Sequence, residues 1–500
     1  MTEERDQINP EKRGKISLYS RLFDYGWLNK RRFIDILLIS VLILFSSLFL
    51  FFYHNDPHIG NMILFSMIFV GTFLLVARYH NLQLTIILVS CSISVLLAFF
   101  LLEDFHWNRI IDHYMEWEVL AVVFGMSILV EATSETGLFD WLIIRMLKIS
   151  KGNIFPLFAL TFLLTFSLST VLANVTAMIL VSSMILTVCN GLDYDPTPFL
   201  LGAVLATSIA GMATLVSSLP SIMVGAPSAG NIGFLDFIVV SIPFLLITIP
   251  ISIFYLKWAF PSEKIPLGNV PINGIDTQMI LSLDEWGVVE DRRKFYLAAL
   301  SLIITIIGFA ISQPLKFPIG VIAILGGILA IVLTRSDENR LIRELSWDTL
   351  LFFGGLFILV GTLEDTYVLQ DIAESLKVIS GGNLFFAGFL ILIIASVVSG
   401  ILDNIPVTAA LIPIVADINE PFLETNPWFL WFILVFAGAF GGGLTPFGSA
   451  ASILAISILT KEGQPLNFRY FMSRLVPISL ILLVISGIYL SILAFVLGII

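Results

Sequence analysis

The chain has 500 residues, 58% of them hydrophobic and 13% charged, with a mean hydropathy of +0.98. No water-soluble fold needs that much apolar sequence, and several runs reach the roughly 20 residues that span a hydrocarbon core. The net charge of −11 excludes a nucleic-acid surface, which needs a basic face.

In chain order, residues 1–33 are polar and read as a cytoplasmic tail. The apolar run 34–53 lacks a small-residue cleavage pattern, so it reads as a retained helix and not a signal peptide. Placing Arg and Lys on the cytoplasmic side, Lys30, Arg31 and Arg32 put the N-terminus inside, and Arg78 after the second helix agrees. A third helix, 82–102, delivers the acidic stretch of Glu103, Asp104, Asp112, Glu116 and Glu118 to the outside. The next helix, 118–131, returns to Arg145, Lys148 and Lys151. The polar stretch between Lys257 and Tyr296, with Lys264, Arg292, Arg293 and Lys294, reads as a long cytoplasmic linker. Helices at 295–312 and 317–334 go out and back to Arg335, Arg340 and Arg343.

Slid against itself, the chain matches at an offset of 230 residues. Trp117 falls on Trp347, Gly125 on Gly355, Ile128-Leu129-Val130 on Ile358-Leu359-Val360, Gly152-Asn153 on Gly382-Asn383, and Asn174 on Asn404. One inserted residue later, Gly211 and Thr214 align with Gly442 and Thr445. The first copy begins beside the acidic loop and the second beside an arginine cluster, so the charge rule makes the repeats inverted, which is a transporter architecture. The expected divisions are a tail at 1–33, three helices at 34–116, repeat 1 at 117–256, a linker at 257–295, connecting helices at 296–346, and repeat 2 at 347–500.

In each repeat an apolar segment, 154–190 or 384–417, is flanked by charge of one kind at both ends. Read as re-entrant hairpins, the two keep the charge rule intact; the plain alternative is a pair of kinked spanning helices. Their centres hold Ser167, Ser169, Thr170, Ala173, Asn174 and Thr176 in one, and Ser399, Gly400, Asp403, Asn404, Pro406 and Thr408 in the other. Each tip should present free backbone N–H groups and a half-helix dipole. Further on, each repeat has a helix interrupted by polar residues, glycine and proline. The first interruption holds Gly211, Thr214, Ser217, Ser218, Pro220 and Ser221; the second holds Gly441, Gly442, Gly443, Thr445, Pro446, Gly448, Ser449 and Ser452. Such breaks at matching places in two halves point to a transport site near the bilayer midplane.

Asp403 is the sharpest single residue, because an acid between apolar runs costs about 2.5 kcal/mol or more at the midplane. It should face a cavity and exchange a proton or bind a cation; the plain alternative is a structural helix cap. Glu131, whose repeat mate is Gly361, reads equally as interfacial or functional. No Lys or Arg occurs between Lys151 and Lys257, and only Lys377 between Arg343 and Lys461. An anionic solute would therefore be held by helix N-termini, hydroxyls and co-bound cations. Two distant cysteines, Cys91 and Cys189, make neither a disulfide framework nor a metal site. The five histidines, His54, His58, His80, His106 and His113, lack ligand-like spacing, so no metal or cofactor is expected beyond a coupling ion, H⁺ or Na⁺.

Phe124-Gly125-Met126 through Leu129-Val130-Glu131, then Thr136-Gly137-Leu138-Phe139-Asp140-Trp141, resembles the first-repeat opening of the arsenite permease and NhaD-type sodium/proton antiporter group. That group belongs to the ion transporter superfamily, with its citrate-transporter-like domain and its dicarboxylate/sodium symporter relatives. Leu402-Asp403-Asn404-Ile405-Pro406 with Thr408-Ala409 is similar to the group's second hairpin tip, and Thr445-Pro446 with Gly448-Ser449 to its arsenite permease version of the second break. The likeness covers 117–461. It implies an all-α membrane protein of about eleven transmembrane helices plus two re-entrant hairpins in two inverted repeats. It further implies elevator movement and a homodimer in the cell membrane. Asn174, Thr176, Asn404 and Thr408 at the tips and Thr214, Ser217, Thr445, Gly448 and Ser449 at the breaks would line the site. Two departures stand out. Relatives often carry Asn where this chain has Ser221 and Ser452, and carboxylate-transporting relatives usually carry Ser where it has Ala173.

Two functions follow as expectations. The first is proton-coupled antiport of a small inorganic solute, Na⁺, Li⁺ or arsenite, with Asp403 as the protonatable switch. The alternative is cation-coupled symport of citrate, a dicarboxylate or another oxyanion. No helix offers His-Glu-x-x-His, a Ser/His pair or paired carboxylates, so an enzyme is not expected.

Overall fold

Apolar runs broken by Gly, Pro and short polar clusters fold into helices throughout the computed structural model. It describes residues 56–79, 82–103, 105–150, 154–172, 174–192, 194–226, 232–261, 284–420 and 428–496. The expected tail at 1–33, the first helix at 34–53, Ala173 and most of the linker, 262–283, lie outside the described residues. So do Lys30, Arg31, Arg32, His54, His80, Asp104, Lys151, Gly152, Asn153 and Lys264.

The chain divides into two compact units, 1–105 and 106–500. In the first, α1 (Pro57–Arg78) packs against α2 (Gln83–Leu101). Asp56 caps α1 by accepting from the His58 N–H at 2.9 Å, with Pro57 opening the helix, where a missing N–H costs nothing. The Asn61 side-chain amide donates to the Leu101 carbonyl at 3.1 Å and ties the two helices together.

The second unit holds the duplication. Repeat 1 runs through α3 (Trp117–Ser134), α4 (Leu138–Ser150), α5 (Ile154–Ser169), α6 (Asn174–Leu192), α7 (Pro196–Ala210), α8 (Leu219–Gly225) and α9 (Phe234–Ala259). After α10 (Arg292–Leu315), α11 (Ile319–Thr334) and the short α12 (Glu338–Glu344), the same order returns. It comprises α13 (Trp347–Glu364), α14 (Val368–Ser380), α15 (Leu384–Ile401), α16 (Asn404–Asn419), α17 (Phe429–Gly441), α18 (Ala450–Lys461) and α19 (Phe468–Val496). The first residues of α13 to α16 lie 230 residues after those of α3 to α6, and α18 begins 231 after α8. Eight described helices are long and apolar enough to cross a membrane. The chain is a multi-pass membrane protein.

The arms α5 and α6, and α15 and α16, are joined by turns of a few residues and pack on each other, as hairpins do. The intervening α4 and α14 are amphipathic: α14 buries Leu369, Ala373, Leu376 and Ser380 along one stripe. The two repeats interlock. The second half of each broken helix packs on the other repeat, α18 against α6 and α7, and α8 against α16 and α17.

Two further contacts hold the frame together. Where the chain re-enters the described residues, Glu285 accepts from Arg145 at 2.9 Å and pairs with Lys148 at 2.6 Å. The hydrogen bond from Lys148, reinforced by both cations, holds the Glu285 carboxyl below its usual range. Next to it Trp286 meets the rings of Trp141 at 5.5 Å and Phe295 at 5.4 Å. The second contact is α3 on α11, which approach backbone to backbone through small residues. A Cβ on Gly125 would lie 2.2 Å from the Ala323 carbonyl carbon, and one on Gly320 2.7 Å from the Ala121 methyl.

Gly125→Ala is therefore expected to force α3 and α11 apart at a cost of about 2 kcal/mol. Gly354→Ala, whose added methyl meets only the Met115 Cε at 3.5 Å, should be neutral or stabilising. Thermal unfolding of the two variants in detergent checks this; equal melting temperatures would contradict it.

Candidate functional site

Two hairpin tips and two helix breaks build the site, and hydroxyl side chains hold each in shape. At the second tip α15 ends at Ile401 and Asp403 is the N-cap of α16, at φ −61° and ψ 148°, with no side-chain cap hydrogen bond. Pro406 sits in the first turn of α16, where its missing N–H leaves no bond unmade. At the first tip α5 ends at Ser169 and α6 begins at Asn174.

The breaks repeat the same solution twice. Ser218 and Ser449 are N-caps of α8 and α18, at φ −149°, ψ 157° and φ −150°, ψ 145°. Their hydroxyls accept from the N–H of Ser221 at 3.3 Å and of Ser452 at 3.2 Å, and each meets its partner's hydroxyl at 2.9 Å. Ser218 and Ser221 both donate to the Gly211 carbonyl, at 2.6 and 2.7 Å, which α7 leaves without a helical partner. Each break is also stitched to its own hairpin tip. Thr214 donates to the Thr170 carbonyl at 3.0 Å, and its repeat mate Thr445 to the Gly400 carbonyl at 2.5 Å. Gly448 is needed for close approach, since a Cβ there would lie 2.7 Å from the Gly442 oxygen and 2.9 Å from that of Ser399.

Between these pieces lies a cavity of about 80 Å³. Of the residues expected from sequence, Asn174, Ser218, Pro220, Asp403, Asn404 and Ser449 line it. Thr214, Ser217, Ser221, Thr408, Thr445, Gly448, Ser452, Pro406 and Pro446 stand behind the lining. Ser217 donates to the Thr214 carbonyl at 2.7 Å and Thr408 to the Asn404 carbonyl at 2.9 Å, while Pro406 and Pro446 are buried. Thr176 is half-buried one turn into α6 and is not part of the lining. The cavity also brings in Thr207 and Ser208 from the last turn of α7. With the inserted residue that sets Gly211 on Gly442, their mates are Gly438 and Ala439, so a search guided by symmetry passes over them. A pair of hydroxyls one turn before the Gly211 break, in an otherwise apolar stretch, was the available signal.

Among the described residues that line the cavity, Asp403 is the sole ionisable side chain, and none is Lys or Arg. The first residues of α6, α8, α16 and α18 all border the space, so their N–H groups and positive dipole ends converge on it. The Asn174 Oδ1 is buried with no hydrogen-bond partner among the described residues, and its Nδ2 lies 3.5 Å from where a Gly211 Cβ would be. The arrangement can hold a cation between carboxylate and amide oxygens, or an anion on the helix starts. Among the described residues no group of three His, Cys, Asp or Glu side chains is placed to hold a metal.

Because Ser218 and Ser449 cap helices and line the cavity at once, Ser218→Ala and Ser449→Ala should each cost about 1 kcal/mol of stability. Each should also raise the half-saturating solute concentration several-fold. Melting in detergent and uptake kinetics read the two effects separately; a lowered melting point with unchanged half-saturation would place these serines outside the binding role.

Comparison with known proteins points the same way. Residues 73–437 match the CitMHS family, described as "Citrate transporter". A protein of Mycobacterium tuberculosis described as an uncharacterized transporter is 31% identical over 391 residues, covering 77% of this chain and 88% of that protein. The P protein of Mus musculus is 26% identical over 461 residues, 78% of this chain and 55% of its own length. The crystal structure of the YdaH transporter of Alcanivorax borkumensis, described as having an unusual topology, superposes with a TM-score of 0.50 at 13% identity. The superposition covers 75% of this chain and 84% of that one, a likeness of fold. With broken helices and hairpin tips gathered at one cavity, and with the family match running through most of both repeats, the chain belongs to the CitMHS citrate transporter family of the ion transporter superfamily.

Proposed function

We propose that this secondary transporter is proton-coupled and exchanges protons for a small inorganic solute, Na⁺, Li⁺ or arsenite, at the cavity between the hairpin tips. The observation that carries the reading is Asp403. It is a carboxylic acid at a helix start, and among the described residues that line the cavity it is the sole ionisable group. A carboxylate so placed is costly unless it binds a proton or a cation, and alternation between the two couples their movements. Asn174, Asn404, Ser218, Ser449, Thr207 and Ser208 supply uncharged oxygen ligands around it. The same reading takes the repeats as inverted, the divisions as 117–256 and 347–500, and the hairpins as sliding against a frame of spanning helices in a homodimer. It places the protein in the plasma membrane with its N-terminus in the cytoplasm.

The second reading is cation-coupled symport of citrate or another oxyanion, favoured by the helix starts at the cavity and by the family match. Each helix start carries roughly half a positive charge, so together they outweigh one carboxylate.

In inside-out vesicles from a host lacking its own antiporters, an acid-trapped dye follows the pH gradient as Na⁺, Li⁺, arsenite or citrate is added. Collapse of the gradient by a cation or arsenite, abolished in Asp403→Asn, is the expected result. A response to citrate alone, or a mutant that behaves as wild type, transfers support to the symport reading.

A further inference from the structure

The segments that precede the two repeats resemble each other in a way their sequences conceal. Residues 107–114 form a short helical segment before Trp117, and α12 precedes Trp347. The Trp117 indole donates to the Ile111 carbonyl at 2.8 Å, and the Trp347 indole to the Ile342 carbonyl, also at 2.8 Å. Each segment then reaches across to the opposite repeat. Arg109 pairs with Asp365 at 2.7 Å, and Arg340 with Glu135 at 3.4 Å. Asp365 and Glu135 are repeat mates at an offset of 230, and the two arginines stand 231 apart. Tyr114 adds a second hold on Asp365 through a short hydrogen bond from its hydroxyl, and its ring fills the space left by Gly361. Arg340 is further braced by Glu344 at 3.0 Å.

Glu135 and Asp365 are the C-cap residues of the first helices of the two repeats, at the joint leading to the amphipathic helix that precedes the hairpin. The joints match atom for atom. Thr136 donates to the Thr133 carbonyl at 2.7 Å and Thr366 to that of Leu363 at 2.6 Å. The next residue is left-handed in each, Gly137 at φ +74° and Tyr367 at φ +63°. For tyrosine that conformation is strained, and it persists only where surrounding contacts hold it.

We propose that Arg109 and Arg340 are positioning residues of the transport cycle: each repeat pins, through its leading segment, the joint on which the other repeat's hairpin turns. The pins are reciprocal, so neither hairpin shifts without loading the leading segment of the opposite repeat. The Asp365 and Glu135 side chains are 11% and 15% exposed against 36% and 59% for Arg109 and Arg340, so salt screens the Arg109 pair less than the Arg340 pair. This inference rests on the transporter reading for its function but not for its geometry.

The test is hydrogen–deuterium exchange on the full-length protein in detergent, paired with uptake kinetics in vesicles, for wild type, Arg109→Ala, Arg109→Lys and Asp365→Ala. Arg109→Ala should speed exchange at 364–371 by at least tenfold and leave 134–141 near wild type. It should lower the maximal rate several-fold at unchanged half-saturation, with Arg109→Lys restoring most of both. Asp365→Ala should loosen the same peptide. Unchanged exchange at 364–371 overturns the pin; faster exchange with wild-type uptake overturns its part in transport. If the wild type moves none of Na⁺, Li⁺, arsenite or citrate, the proposed solutes fall while the exchange data still decide the pin.

Discussion

A helix interrupted at membrane depth leaves backbone carbonyls and N–H groups without partners, and no lipid can supply them. Everything distinctive in this protein follows from meeting that demand. Thr214 and Thr445 answer the hairpin carbonyls of Thr170 and Gly400, while Ser218 and Ser221 together answer that of Gly211. Ser399 donates to the Gly438 carbonyl at 3.0 Å and ties the second hairpin to the helix before the second break. The starts of α6, α8, α16 and α18 border the space where a solute would sit, those of α8 and α18 capped there by Ser218 and Ser449. Thr214, Thr445 and Ser221 serve the backbone from outside the lining, whereas Ser218 and Ser449 serve it and face the cavity at once.

The duplication is exact where the backbone must be held and inexact where chemistry is done. The capping serines, the stitching threonines, the left-handed joints and the indole bonds recur in both halves. In the cavity, by contrast, Thr207 and Ser208 have Gly438 and Ala439 as mates, and Asp403 has Ala173. On the proposed reading, a symmetric frame with one asymmetric carboxylate permits two related conformations, with that carboxylate as the charged switch between them. Coupling needs such a site, because a bound species drives a change only through unequal affinity for the two states.

Much of this was legible in the residues. The offset of 230 gave the repeat, because Trp, Asn, Gly and Thr kept one register through sequence otherwise free to drift. The matching Gly and Pro interruptions gave the breaks, and the matching polar centres gave the hairpin tips. What escaped was which hydroxyls face inward. Thr, Ser and Asn look alike in a list, and only the turn geometry sends Ser218 and Ser449 to the cavity while committing Thr214, Thr445 and Ser221 to backbone carbonyls and Ser452 to the Ser449 hydroxyl. The arginine pins escaped too: Arg340 read as a topology marker, Arg109 was given no role, and the two lie one residue off the repeat's register. Their partners are more than two hundred residues away, and nothing local announces the pairing.

The central claim is that a proton leaves Asp403 when solute enters. The direct measurement is proton release from purified protein in weakly buffered detergent solution as Na⁺, Li⁺ or arsenite is added, for wild type and Asp403→Asn. The account predicts that one of these solutes releases protons from wild type in proportion to occupancy and none from the mutant. Equal release from both proteins, or solute binding to wild type with no proton released, would contradict it.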